Sequence, residues 1–137
     1  MTAKQYLRQL ARLHLQISIL SEEIETRRTR LTSTAAPALG DKVQTSPRDV
    51  FADMMAALAD KEVQQAELVF IYEEQRDKIV RQILGMDNPT QAEVLYLRYV
   101  KGQRWDVIAD AMHYNRQHVC RIHGNALVEF SKKYLEP

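Results

Sequence analysis

Five polar side chains near the end of the chain have the types and spacing to read nucleic-acid bases: Arg116, Gln117, His118, Arg121 and Asn125. Arginine matches the two major-groove acceptors of guanine, and glutamine or asparagine matches the acceptor and donor of adenine, each through paired hydrogen bonds. A helix would present them together. At 100° per residue, Gln117, Arg121, Gly124 and Asn125 share one side, with Arg116, His118 and Cys120 on the flanks, while Val119, Ile122, His123, Ala126 and Phe130 share the other. Gly124 costs such a helix about 1 kcal/mol relative to alanine, and close approach of the backbone to a partner would account for it. A lone helix of this kind is usually just a solvated face, so the reading depends on what precedes it.

What precedes it has the pattern of a helix-turn-helix. A short helix is expected over 104–112, a turn at His113-Tyr114, an N-cap at Asn115, and a last helix from Arg116 to about Tyr134. The motif needs a small residue where its helices cross (Ala109) and an apolar residue before it (Ile108). It also needs one in the turn (Tyr114) and two on the inner face of the second helix (Val119 and Ile122). Histidine stands at the usual turn glycine, and it tolerates the left-handed conformation better than most residues. In this geometry the first helix crosses the sugar-phosphate backbone, so Lys101, Gln103, Arg104 and Asn115 are expected to hold phosphates. Trp105 is expected to anchor the core.

Two stretches resemble known families. Residues 95–109, Leu-Tyr-Leu-Arg-Tyr-Val-Lys-Gly-Gln-Arg-Trp-Asp-Val-Ile-Ala, resemble region 4 of the sigma-70 factors, the part that reads the −35 promoter element. Residues 116–127 resemble more specifically the small phage and prophage proteins of Gram-positive bacteria related in style to the ArpU and RinA late-gene regulators. The start, Thr2 to Leu7, and the stretch Asp41 to Ser46 are similar to that group as well. The resemblance implies a phage-encoded regulator of transcription that binds double-stranded DNA. The single cysteine points to a reducing cytoplasm, that of a bacterial host, where host RNA polymerase is a candidate further partner. No sigma region 2 is recognisable, so action as a complete sigma factor is not expected.

The rest of the chain must position this domain. Apolar residues fall at Tyr6, Leu10, Leu13, Ile17, Leu20, Ile24 and Leu31 in alternating steps of three and four, with Arg27 filling the one gap. A small, polar stretch with Pro37 and Gly40 follows. Ser46-Pro47-Arg48-Asp49 then supplies an N-cap, a first-turn proline and a first-turn carboxylate for a second long helix that ends at Gly85. Its expected apolar face is Phe51, Met55, Leu58, Val69, Tyr72, Ile79 and Ile83. Residues 1–31 carry six Lys/Arg against three carboxylates, and residues 47–84 carry five against eight. Opposite charge on two long amphipathic helices favours pairing. The expectation is an all-α fold: a coiled-coil-like helical hairpin over 1–85 that mediates homodimerisation, and a sigma region 4-type helix-turn-helix domain over 86–137.

Other chemistry is poorly supplied. No apolar run approaches the roughly 18 residues that span a bilayer, and Met1 to Tyr6 lacks the apolar core of a secretory signal. One cysteine, Cys120, permits no internal disulfide and no cysteine zinc site. His14, His113, His118 and His123 lie apart, without carboxylates at metal-ligand spacing. No enzyme activity, cofactor or metal is expected. Two other functions fit the pattern, a DNA-packaging recognition protein of the small-terminase type and a polymerase-docking module.

Overall fold

Thr2 begins the first helix with a reciprocal cap: its hydroxyl accepts from the Gln5 amide at 3.2 Å, and its own amide donates to the Gln5 side chain at 2.9 Å. Helix α1 (Ala3–Leu7) breaks for one turn at Arg8 and continues as α2 (Gln9–Thr34). Ser46 caps α3 (Pro47–Leu84), its hydroxyl accepting from the Asp49 amide at 3.3 Å, as expected. At α4 (Pro89–Leu95) two overlapping start signals compete, Asn88 and a Thr90/Glu93 capping box. Asn88 is the one used, since its side chain accepts from the amides of Thr90 and Gln91. Beyond α4 the chain winds wider through 96–100, where the Lys101 amide bonds back five residues to Tyr96. Helices α5 (Trp105–Met112) and α6 (Arg116–Phe130) follow, the latter with a similar wide turn over 131–135. The computed structural model describes residues 1–34 and 46–137, and within them the fold is all-α, without strands. The break expected around Pro37 and Gly40, and the stretch Asp41 to Thr45, lie outside the described residues.

Two compact units result, Met1–Leu13 with Tyr72–Pro137, and His14–Ile71. The sequence suggests a boundary after residue 85, and the structure groups the chain otherwise. Tyr6, Leu7, Leu10, Ile79 and Ile83 are buried in one core with Leu95, Tyr99, Ala126 and Phe130. The reason is physical: the inward face of α6 beyond Val119 is too apolar to be covered by α4 and α5 alone, and α1 and the end of α3 cover it. Within this first unit the Tyr6 hydroxyl bonds Gln82 at 2.7 Å, and Gln75 bonds Gln9 at 2.7 Å. At Gly85 a Cβ would meet the Tyr134 hydroxyl, so a larger residue there would have to displace the end of that side chain.

In the second unit Ser21 pairs with Gln65 at 2.6 Å and Arg28 with Glu62 at 3.3 Å. Residue numbers rise along α2 as they fall along α3, so the two helices run antiparallel there. Ile24 and Leu58 are the buried apolar residues of this unit among those described. The spacing read on α2 holds, with Ile17, Leu20, Arg27 and Leu31 half-buried and the off-seam Leu15 and Ile19 exposed. Along α3 up to Val69, except at the buried Leu58, the face is displaced by one residue from expectation. Val50 and Met54 are half-buried, while Phe51, Met55 and Val69 are exposed. Alanines surround α3 on several sides, so composition alone does not choose which face meets α2.

Candidate nucleic-acid interface

The site is built on the packing of α5 against α6. Ile108 and Val119 are fully buried and Ala109 nearly so, in a small core with Val94, and Leu97, Trp105, Met112 and Ile122 pack around it. The small side chain of Ala109 lets the helices approach. Between them the chain reverses in three residues. The His113 and Tyr114 amides bond back to Asp110 and Ala109, and His113 takes a left-handed conformation (φ 61°, ψ 37°) as its position in the turn predicts. Asn115 then caps α6, its side-chain oxygen accepting from the His118 amide at 2.8 Å. Of the five apolar positions, Tyr114 departs from expectation. It lies at the surface, with its ring edge-on to His118 at 4.7 Å.

This scaffold leaves Arg116, Gln117, Arg121 and Asn125 exposed along α6, as base-reading geometry requires. His118 is half-buried against Tyr114, which fixes its ring beside the others. Gly124 is exposed, and a Cβ built on it would meet nothing within 4 Å, so nothing in the described chain requires a glycine there. Cys120 is a free, exposed thiol on the same helix.

The expected phosphate contacts divide. Lys101 and Arg104 are exposed at the entrance to α5, Arg104 within 3.6 Å of Asp106. Gly102, in left-handed conformation (φ 66°), makes the turn between them. Gln103 is half-buried, with its side-chain oxygen shielded and without a hydrogen-bond partner among the described residues, and its backbone carbonyl accepts from Arg98 at 2.9 Å. Asn115 is exposed, but its oxygen is committed to capping, which leaves only its amide nitrogen to donate outward.

Behind the exposed face lies a cluster that sequence reasoning did not assemble. The Tyr99 hydroxyl and His123 Nε2 share a 2.7 Å hydrogen bond. Trp105 meets the His123 ring edge-on at 4.6 Å, and Arg98 lies over Trp105 at 4.5 Å. Burial, with the charges of Lys4, Arg98 and Arg8 adding to it, holds the His123 pKa down at about 4. Burial also raises the Tyr99 pKa, against the opposing pull of Arg8 and Arg98. The signal was present in the inward register of His123. The placement of Lys4 and Arg8 beside it was not, because a boundary after residue 85 separates them from α6.

Charge follows the same division. The unit of residues 1–13 and 72–137 holds thirteen Lys/Arg against nine carboxylates, and residues 14–71 hold six against nine. The near-neutral total therefore hides a basic unit that carries the site. Among the described residues no three His, Cys, Asp or Glu side chains converge on a metal position, and no helix is long and apolar enough to cross a membrane. No protein-family model, curated protein or solved structure matches the chain.

Proposed function

We propose that this chain is a sequence-specific, double-stranded DNA-binding transcriptional regulator of the phage sigma region 4-like type, an activator that works at a promoter. On this reading α5 and α6 are a helix-turn-helix, with α6 in the major groove. Arg116, Gln117, Arg121 and Asn125 meet base edges there, with His118 beside them, while Lys101 and Arg104 grip the backbone. The observation that carries the reading is the combination on α6: an inner face buried at Val119, Ala126 and Phe130, four exposed base-reading side chains outside, and an unobstructed glycine among them. An ordinary solvated face needs no such glycine and gains nothing from it.

The regulator acts as a homodimer joined through α2 and α3. Eight large apolar side chains are exposed within residues 14–71: Leu15, Ile19, Phe51, Met55, Val63, Val69, Phe70 and Ile71. Surface of this kind on a small unit marks an association site. Two copies would present two reading helices to related half-sites, about 10 base pairs apart or a multiple of that. Retention of random duplex DNA at low salt, lost steeply as salt is added, is the first test. No retention at low salt would remove the reading altogether.

A further inference from the structure

The sequence pattern expects Tyr114 to cover the core from the turn between α5 and α6, and the core closes without it. That core is Val94, Ile108, Ala109 and Val119, and the apolar side chains packed around it are Leu97, Trp105, Met112 and Ile122. The Tyr114 side chain stands outside this group, 41% exposed. Its ring meets His118 instead, with centroids 4.7 Å apart and planes at 90°.

The backbone holds this pair in place at both ends. The Tyr114 amide donates to the Ala109 carbonyl at 3.0 Å, just after the left-handed turn at His113. The His118 amide donates to the side chain of Asn115 at 2.8 Å. An aromatic ring fixed before binding gives up little freedom when a partner covers it. Its location is equally defined. His118, Arg121 and Asn125 are three and then four residues apart, so they line one edge of α6. Through its contact with His118, the Tyr114 ring extends that edge past the helix N-terminus.

The N-terminal residues of a reading helix are the ones that meet base edges. In the major groove those edges offer hydrogen-bond donors and acceptors and a single apolar group, the 5-methyl of thymine. Arg116, Gln117, Arg121 and Asn125 answer the polar groups. The exposed Tyr114 ring is the apolar surface at this end of the helix. Resting on the DNA reading above, we infer that Tyr114 is a specificity-determining residue: its ring, steadied by His118, covers the 5-methyl group of a thymine and commits one position of the site to a T·A pair.

The test uses a duplex selected from random sequences by its binding to the full-length protein. Each thymine in turn is replaced by uracil, which keeps the base pair and removes the methyl group, and affinities are read by fluorescence anisotropy at one salt concentration. One replacement should weaken the parent roughly fourfold, the cost of exposing a methyl-sized group. Tyr114→Ala should lose a similar factor on the thymine duplex and be indifferent to that same replacement. Tyr114→Phe, which keeps the ring, should match the parent on both duplexes. A Tyr114→Ala protein that is weaker on both duplexes but keeps the difference between them would overturn the inference, because a merely structural role or packing against the sugar-phosphate backbone gives that result. A parent indifferent to every replacement would overturn it too. In either case, lost discrimination in Arg121→Ala would leave the DNA reading standing. Failure of the selection to yield any preferred duplex would overturn both.

Discussion

The exposed sides of α6 and α3 are built from opposite residue types, although each helix buries an apolar face against the rest of its unit. Outside, α6 shows Arg116, Gln117, Arg121, Gly124 and Asn125, while α3 shows Phe51, Met55, Val63, Val69 and Phe70. Water tolerates the first face without cost, so its composition reports on function only through the scaffold that holds it and through the glycine. Exposure of the second is costly at about 25 cal/mol per Å² of apolar surface, so that face calls for cover in its own right. Two surfaces of such different chemistry suit two partners, a polyanion on one and an apolar surface on the other.

The comparison rests on both units being folded scaffolds, and its largest test is Phe130→Ala. Phe130 is fully buried beneath α6 and touches Tyr6 and Tyr134. Its truncation should cost about 3–5 kcal/mol and abolish DNA binding, while helix signal from residues 14–71 persists. Urea unfolding followed by circular dichroism reads this, and full DNA binding by the variant would show that the core does not position the site.

The apolar side of α3 is tested by Val63→Glu/Phe70→Glu. Both residues are more than half exposed, so charge there should leave the fold intact while shifting the protein from dimer to monomer in light scattering. A parental mass for the variant would place the self-association elsewhere. A ring of about eight chains for the parent would favour a packaging protein over a regulator, since dimers are the commonest closed assembly.

A smaller effect comes from the cluster that backs α6. Folded His123 has a pKa of about 4 against 6.5 in the unfolded chain. Above pH 6.5 the ring is neutral in both states. As pH falls from 6.5 towards 4, the unfolded chain takes up a proton that the folded chain refuses, and stability is lost across that window. His123→Gln, which can still bond the Tyr99 hydroxyl, should lose less stability than the parent between pH 7 and pH 5. An identical drop in both urea midpoints would mean that His123 titrates freely.

Legibility in the sequence followed how sharply each helix is patterned. The α2 spacing from Tyr6 to Leu31 was readable because its off-face positions are mostly polar, and even the gap at Arg27 proved to be a half-buried seam position. The inner faces of α5 and α6, the left-handed His113 and the Asn115 cap were readable because turn and cap chemistry is local. The α3 face was not, because alanines at 52, 56, 57, 59 and 66 leave several sides apolar and only the antiparallel partner selects among them. Lys61 and Gln65 are polar yet half-buried, and Gln65 bonds Ser21 across the pair. The packing of α1 on α6 was equally illegible, since it joins residues more than a hundred positions apart and no local signal encodes it.

The central claim is that the exposed face of α6 reads duplex DNA, and Arg121 tests it most directly because it is exposed and takes part in none of the packing. The measurement is the affinity of the parent and of Arg121→Ala for a duplex selected from random-sequence duplexes by its binding to the parent, against random duplex at the same salt. The parent should prefer its selected site, and the variant should lose about 1–3 kcal/mol on that site while holding its affinity for random duplex far better. If Arg121→Ala discriminates between the two duplexes as well as the parent does, this face of α6 is not the reading surface.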